Sequence, residues 1–300
     1  MKRLSIFTIT LVFSLTISYL FFYSKSLNEN RTSDTYKIKA VKIPAFLEFA
    51  GERVPSEKRD VNERLDREFL VNTYWQSNGL LLIKRSHKYF PVIEPILEKY
   101  GIPDDFKYLA VIESGLQNVT SPAGAKGYWQ LMKGTARDCG LEVNSNVDER
   151  YSLEKSTEAA CQYLLKQKER FGTWTLAAAA YNVGPNGLSR RMQAQGTDDY
   201  YDILLPIETS RYLPRLIAIK NILESPRSYG FVFEKQDLYE LPEFNIVEVD
   251  TVVSNLAQFS KTMDLTYREL KLYNPWLREN KLNNASARLY KIKIPVDTTP

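Results

Sequence analysis

The stretch F-K-Y-L-A-V-I-E-S-G-L-Q, Phe106 to Gln117, decides the reading of this chain, because an acid occupies a position that helical spacing assigns to a hydrophobe. Phe106, Leu109 and Ala110 fall at i, i+3 and i+4, so the next residue on that face, at i+7, is Glu113. Upstream, G-I-P-D-D puts Pro103 at the first helical position and Asp104 and Asp105 in the first turn, where the fixed φ and the helix dipole favour them. Downstream, Gly115 supplies the left-handed residue that commonly ends a helix, which leaves Glu113 in the last turn. Burial and the negative end of the dipole both favour the uncharged carboxyl, so the pKa of Glu113 is expected to be raised. Taken alone, the helix also permits a plainer reading, a terminal Glu that swings out to water, because Val111 and Ile112 make the apolar stripe broad.

With 44% apolar and 25% charged residues, the 300-residue chain has a globular composition, with room for one medium domain and appendages or two small domains. The net charge of +4 is backed by no concentrated basic tract, so nucleic acid is not implied, while a weakly basic surface suits an acidic polymer. After Met1-Lys2-Arg3 the chain runs uncharged from Leu4 to Tyr23, about the 20 residues that cross a bilayer as a helix. Lys2 and Arg3 keep the start in the cytoplasm. A cleaved signal peptide competes with an uncleaved anchor over residues 1–24; bulky Tyr19 to Tyr23 and the lack of a small-x-small cleavage site favour the anchor, residues 4–23. Either way, the rest of the chain is expected to be exported. Cys139 and Cys161 form one disulfide or remain two buried thiols. With His87 as the only histidine, in the polar surface stretch I-K-R-S-H-K-Y-F, no metal set and no cofactor is implied.

Residues 25–60 are polar with scattered prolines and a short apolar patch, I-P-A-F-L-E-F, and read as a tether. From 61 to 229 apolar residues recur at three and four spacing, with turns marked by Asn78-Gly79, Gly101 and Ser121-Pro122, which predicts an all-α domain. Residues 230–245 read as a linker. Residues 246–297 read strand, helix, helix, strand, from I-V-E-V to Y-K-I-K-I-P, a small α+β module of the binding kind.

Around the acid, three clusters stand out. S-P-A-G-A-K-G-Y-W-Q brings Gly127 for close backbone approach, the rings of Tyr128 and Trp129, and the amide of Gln130, a set that suits a sugar face and its hydroxyls and equally suits core packing. The alanine-rich helix before Tyr181-Asn182 packs close to a neighbour and stops at Gly184-Pro185. In P-I-E-T-S-R-Y-L-P-R, Glu208 and Tyr212 share a helix face at i and i+4.

Glu113-Ser114, G-Y-W-Q at Gly127 to Gln130, A-Y-N-V-G at Ala180 to Gly184 and E-T-S-R-Y-L-P-R at Glu208 to Arg215 stand in the order seen in lytic transglycosylases of the lysozyme-like superfamily. The chain resembles that family over roughly Pro91 to Arg227, with the membrane-bound D type nearest. The resemblance implies a lysozyme-like all-α catalytic domain in which Glu113 is the sole acid/base and Ser114 positions it. It implies that Gln130, Tyr181 and Asn182 line a glycan groove, that Glu208 and Tyr212 close the site, and that Gly127 and Gly184 are backbone positions. Tyr128-Trp129 departs from the family's usual leucine-methionine, which bears on the contact with the sugar's N-acetyl group. The implied substrate is the peptidoglycan glycan strand, cleaved without water to a 1,6-anhydro muramyl end, at the periplasmic face of the envelope. A hydrolase of the goose-lysozyme kind, with Glu208 positioning water, and an inactive wall-binding protein are the alternatives.

The last module is similar to LysM, with Asn274-Pro275 and the closing Ile294-Pro295, and with V-D-T-V-V-S-N-L where LysM has G-D-T-L. Asp250 and Thr251 are kept and the glycine and leucine are lost, which leaves glycan binding and mere packing both open.

Overall fold

Periodic apolar residues build the helices, and the chain folds as mainly α with a small α+β unit at its C-terminal end. The structure is a computed structural model that describes residues 16–19 and 38–296. The expected anchor, residues 4–23, lies outside the described residues apart from 16–19. Among the described residues no helix is long and apolar enough to cross a membrane.

Helix α1 (Arg59–Tyr74) buries Val61, Leu65 and Phe69, which recur every four residues. Helix α2 (Gln76–Lys99) follows after a break at Trp75, and α3 (Lys107–Ser114) follows a 3-10 turn, Asp104–Phe106. Pro103 caps that turn rather than opening the helix, and Asp104 and Asp105 lie in its first turn. A short α4 (Lys133–Asp138) precedes α5 (Leu153–Phe171), α6 (Trp174–Val183), α7 (Pro185–Gln195) and α8 (Ile207–Glu224). Helix α8 is buried along most of its length and packs on α1, α3 and α6, while α5 packs on α2 and α6.

Two expectations are corrected by packing. Asn78-Gly79 is no turn: both residues lie within α2, and a Cβ on Gly79 would meet the Phe231 ring at 2.4 Å. Glycine is required there for close approach, and the same ring pins the segment 230–245, since Phe231 is buried with Ile83 and Ile222. The segment read as a tether also joins the core from Val41, with Leu47, Phe49 and Val54 buried. Its patch is too short to show a period, and it forms a hairpin of β1 (Glu48–Phe49) and β2 (Glu52–Arg53) with positive φ at Ala50 and Gly51.

That hairpin carries a helix cap. The Glu52 carboxylate accepts from the backbone N–H groups of Trp174 and Thr175, at 2.7 and 2.8 Å, at the start of α6. Burial pushes its pKa up, but these donors and Lys168 outweigh that and hold it below the usual carboxylate value. A carboxylate at a helix N-terminus satisfies free N–H groups and meets the positive dipole end, so Glu52→Ala is expected to cost ~1–2 kcal/mol. An unchanged urea midpoint would contradict the capping role.

In the C-terminal unit, β3 (Phe244–Val249) pairs antiparallel with β4 (Tyr290–Pro295), and α9 (Leu256–Thr262) and α10 (Tyr267–Tyr273) lie between them in sequence. Asn274 is fully buried, donating to the Leu270 and Lys293 carbonyls and accepting from the Lys293 N–H, so its side chain ties α10 to β4. The unit's core takes in Val147 and Tyr151 from the helical part, and Asn146 and Asp148 exchange backbone hydrogen bonds with Trp276 and Arg278.

Candidate active site

Helix α3 delivers the acid. Phe106, Leu109 and Ala110 are fully buried, and Gly115 ends the helix in the left-handed region at φ 59° and ψ 33°. Glu113, one turn beyond Leu109 and Ala110, is partly buried, and the Tyr212 hydroxyl of α8 donates to its Oε1. Burial pushes the Glu113 pKa up to about 7; the Tyr212 bond and Arg215 work against that rise, and Glu208 adds to it. Burial first, then the charge of Glu113, pushes the Tyr212 hydroxyl well above its usual value, so it stays a donor.

The loop facing the acid is held by backbone. Ser114 Oγ donates to the Tyr128 carbonyl at 2.7 Å and to the Ala110 carbonyl at 3.1 Å, which fixes the loop to the helix end beside Glu113. Gly127 has φ +80°, and a Cβ there would lie 1.8 Å from the Arg150 carbonyl oxygen. Arg150 is itself buried, bidentate to Asp148 at 2.9 and 2.8 Å and donating to the Gly124 and Leu131 carbonyls. Gly127→Ala combines a left-handed penalty with a backbone clash and is expected to cost ~2–4 kcal/mol. Equal urea midpoints for the variant and the parent would contradict the close approach. Gln130 sits at φ 48° and spends its Nε2 on the Val119 and Gly127 carbonyls.

Tyr181, at the end of α6, donates its hydroxyl to the Trp129 carbonyl at 2.6 Å and stacks edge-on with Tyr163. Burial raises its pKa well above the usual value, with the Glu113 charge the next cause. Asn182 follows it, half-buried in the last turn of α6, and Gly184 turns the chain at φ 78° into α7. Glu208 stands exposed in the first turn of α8, one turn before Tyr212.

The structure thus brings Glu113, Tyr212, Tyr181 and the Ser114–Tyr128 tie together around the end of α3. The Tyr128 ring does not join them: it packs edge-to-face with Tyr89 and lines a separate cavity shared with the C-terminal unit. Trp129 is wholly buried, donating Nε1–H to Thr157. Sequence reasoning missed Glu68 of α1, a buried carboxylate held by Arg67, Arg211 and Arg215. Through Arg215 it adjoins the charge acting on Glu113. Nothing local marks it, because its α8 partners lie 143 and 147 residues away. His87 is exposed with Nδ1 3.0 Å from the Tyr239 carbonyl, and both cysteines are free thiols. Among the described residues no group of His, Cys, Asp and Glu is assembled to hold a metal ion.

Residues 91–204 match the transglycosylase SLT domain and residues 245–298 the soluble lytic transglycosylase C-terminal LysM-like domain, two matches in series along the chain. It is 28% identical over 204 residues to membrane-bound lytic murein transglycosylase D of Escherichia coli K12, an alignment spanning 66% of this chain and 44% of that protein. A putative tributyltin chloride resistance protein of Alteromonas sp. (strain M-1) is 28% identical over 131 residues, 43% of this chain and 61% of its own. The 70 kDa soluble lytic transglycosylase of E. coli aligns over 46% of this chain and 24% of its own, with 23% identity and a TM-score of 0.41. The chain therefore spans less than half the length of the first of these relatives. The SLT match ends before Glu208 and Tyr212, and it is the fold that carries Tyr212 onto Glu113.

Proposed function

We propose that this chain is a peptidoglycan lytic transglycosylase that cleaves the MurNAc-GlcNAc β-1,4 bond with Glu113 as its single acid/base. The observation that carries the reading is the carboxyl of Glu113, pushed to about 7 by burial and held by the Tyr212 hydroxyl. Breaking a glycosidic bond needs a proton delivered to the leaving oxygen, and a carboxylic acid does this near neutral pH only when its pKa is raised. A glycosidase working through water pairs its acid with a second carboxylate across the bond. Here the carboxylate acting on Glu113 is Glu208, which is exposed at the start of α8.

In the proposed sequence Glu113 gives its proton to the glycosidic oxygen while the muramyl N-acetyl group stabilises the cation developing at C1. The resulting carboxylate then takes the proton of the C6 hydroxyl as O6 closes on C1, leaving a 1,6-anhydro end and a reprotonated acid. Tyr212 keeps the carboxyl aimed, and the Ser114 tie keeps the Tyr128–Gln130 loop against it. The name of the E. coli relative and the uncharged run at residues 4–23 support an activity at the membrane face of the cell envelope.

Digestion of purified wall sacculi, with the released muropeptides read by mass spectrometry, tests the reading. Products lacking one water relative to hydrolytic fragments are expected. Hydrated reducing ends would replace it with a hydrolase in which Glu208 positions water, and wall binding without any product would replace it with a binding protein.

A further inference from the structure

Between the helical part and the C-terminal unit lies a cavity of about 420 Å³ to which both contribute walls. Tyr89, Tyr128 and Tyr151 face it from one side, and Tyr273, Trp276 and Tyr290 from the other. Its lip is apolar and open to water, with Ile246, Leu272 and Leu289 each about half exposed (50%, 54% and 52%). The two acids of the lining are spent: Glu149 pairs with Arg288 at 3.0 Å and Glu154 with Lys293. Lys88, Lys155 and Lys291 also line it, with looser partners. Lys88 Nζ sits over the Tyr89 ring, and Lys155 and Lys291 reach carboxylates only at 4.0 and 3.8 Å.

Each feature restricts the occupant. Aromatic walls offer flat apolar faces of the kind that cover the C–H face of a pyranose ring, with hydroxyl and N–H groups at their edges for its polar substituents. An excess of lysines selects for carboxylates. A cavity of this size fits the lower range of sites for small molecules and holds a short saccharide rather than a long strand. A plain alkyl chain has no use for the cations, and the cations are too few for a polyphosphate backbone.

We infer that this interdomain cavity is a second saccharide site, taking an N-acetylated disaccharide that carries a carboxylate-bearing peptide, apart from the groove at Glu113. The inference rests on the peptidoglycan reading above. It gives the docked C-terminal unit a role that neither half has alone, because neither wall encloses the ligand by itself. It also gives Tyr128 a use away from the acid: its ring lines the cavity while its carbonyl receives the Ser114 hydroxyl beside Glu113. A fragment held there lies across the Tyr128–Gln130 loop from the reacting bond.

The test is calorimetric titration of the full chain bearing Glu113→Gln, so that nothing is turned over, with a purified disaccharide tetrapeptide, the same disaccharide without peptide, and a long-chain fatty acid. Two binding events are expected for the muropeptide. Adding Lys88→Glu and Lys291→Glu should weaken one of them severalfold and leave the other, with the loss shrinking as salt is raised, as for charges at an exposed rim. The bare disaccharide, which lacks the peptide carboxylates, should bind more weakly at that event and respond less to the lysine variants. The lysine pair on the Glu113 background should leave anhydro product formation from a short soluble glycan unchanged, and Tyr273→Ala should repeat the binding loss by removing a wall. A single event untouched by the lysine variants overturns the inference, as does fatty acid that displaces the muropeptide from the sensitive event. Anhydro products together with a single event overturn this inference alone. No product and no muropeptide binding overturn the proposed function with it.

Discussion

On the proposed reading, Glu113→Gln is expected to lower strand cleavage by the ~10²–10⁴-fold that a positioned acid/base contributes, while leaving binding of wall material in place. The same carboxyl sets the pH dependence. With its pKa near 7, the protonated form that donates to the leaving oxygen is depleted as pH rises, so kcat/KM should fall on the alkaline side of about 7. Stability moves with it. Between the ordinary carboxyl value of 4.5 and about 7 the folded chain holds a proton that the unfolded chain has released, so folding weakens as pH rises through that window. The cost at pH 8 is ~2–3 kcal/mol, and the neutral amide of the variant escapes it. Glu113→Gln is therefore expected to be inactive yet harder to unfold than the parent at pH 8, with the difference closing at pH 4. Urea denaturation of both proteins at the two pH values checks this. Parallel curves would mean that the carboxyl is solvated and the acid is not poised.

The second large effect lies at Glu68, and its two halves are expected to be unequal. Glu68 is about 1% exposed, whereas the side chains of Arg67, Arg211 and Arg215 are 47%, 26% and 30% exposed. Replacing Arg211 and Arg215 together by leucine strands a buried carboxylate with one exposed partner, and is expected to cost ~3–5 kcal/mol. Replacing Glu68 by leucine instead leaves arginines that can turn to water, at a cost of ~1 kcal/mol or less beyond repacking. Urea midpoints of the two variants measure the asymmetry. If Glu68→Leu proves as damaging as the arginine pair, hydrogen bonding between α1 and α8 outweighs desolvation at this contact.

The chain shows how unevenly a site is written into its sequence. Glu113 was legible because a helix repeats every few residues: Phe106, Leu109 and Ala110 define a face, and the acid's trespass on it is visible within one short stretch. Gly115 as the stop and the strand, helix, helix, strand order of the last unit were legible for the same reason. The raised pKa followed from burial, with a partner that the sequence motif placed only in order along the chain. Asn78-Gly79 misled, because a glycine chosen for contact with Phe231 looks the same as one chosen for a turn.

By itself, then, the sequence determined the helical class, the place of the acid in its helix and the strand, helix, helix, strand order of the last elements, all properties fixed by neighbours a few residues apart. Only the tertiary structure decided which groups meet: Tyr212 with Glu113 across 99 residues, Glu52 on α6 across 122, and Glu68 among its arginines. It also decided that Tyr128 turns to a cavity closed by the C-terminal unit. The physical reason is range. Backbone periodicity and capping act within a turn or two and leave a pattern along the chain, whereas burial, charge and hydrogen bonding between distant segments depend on how whole elements pack.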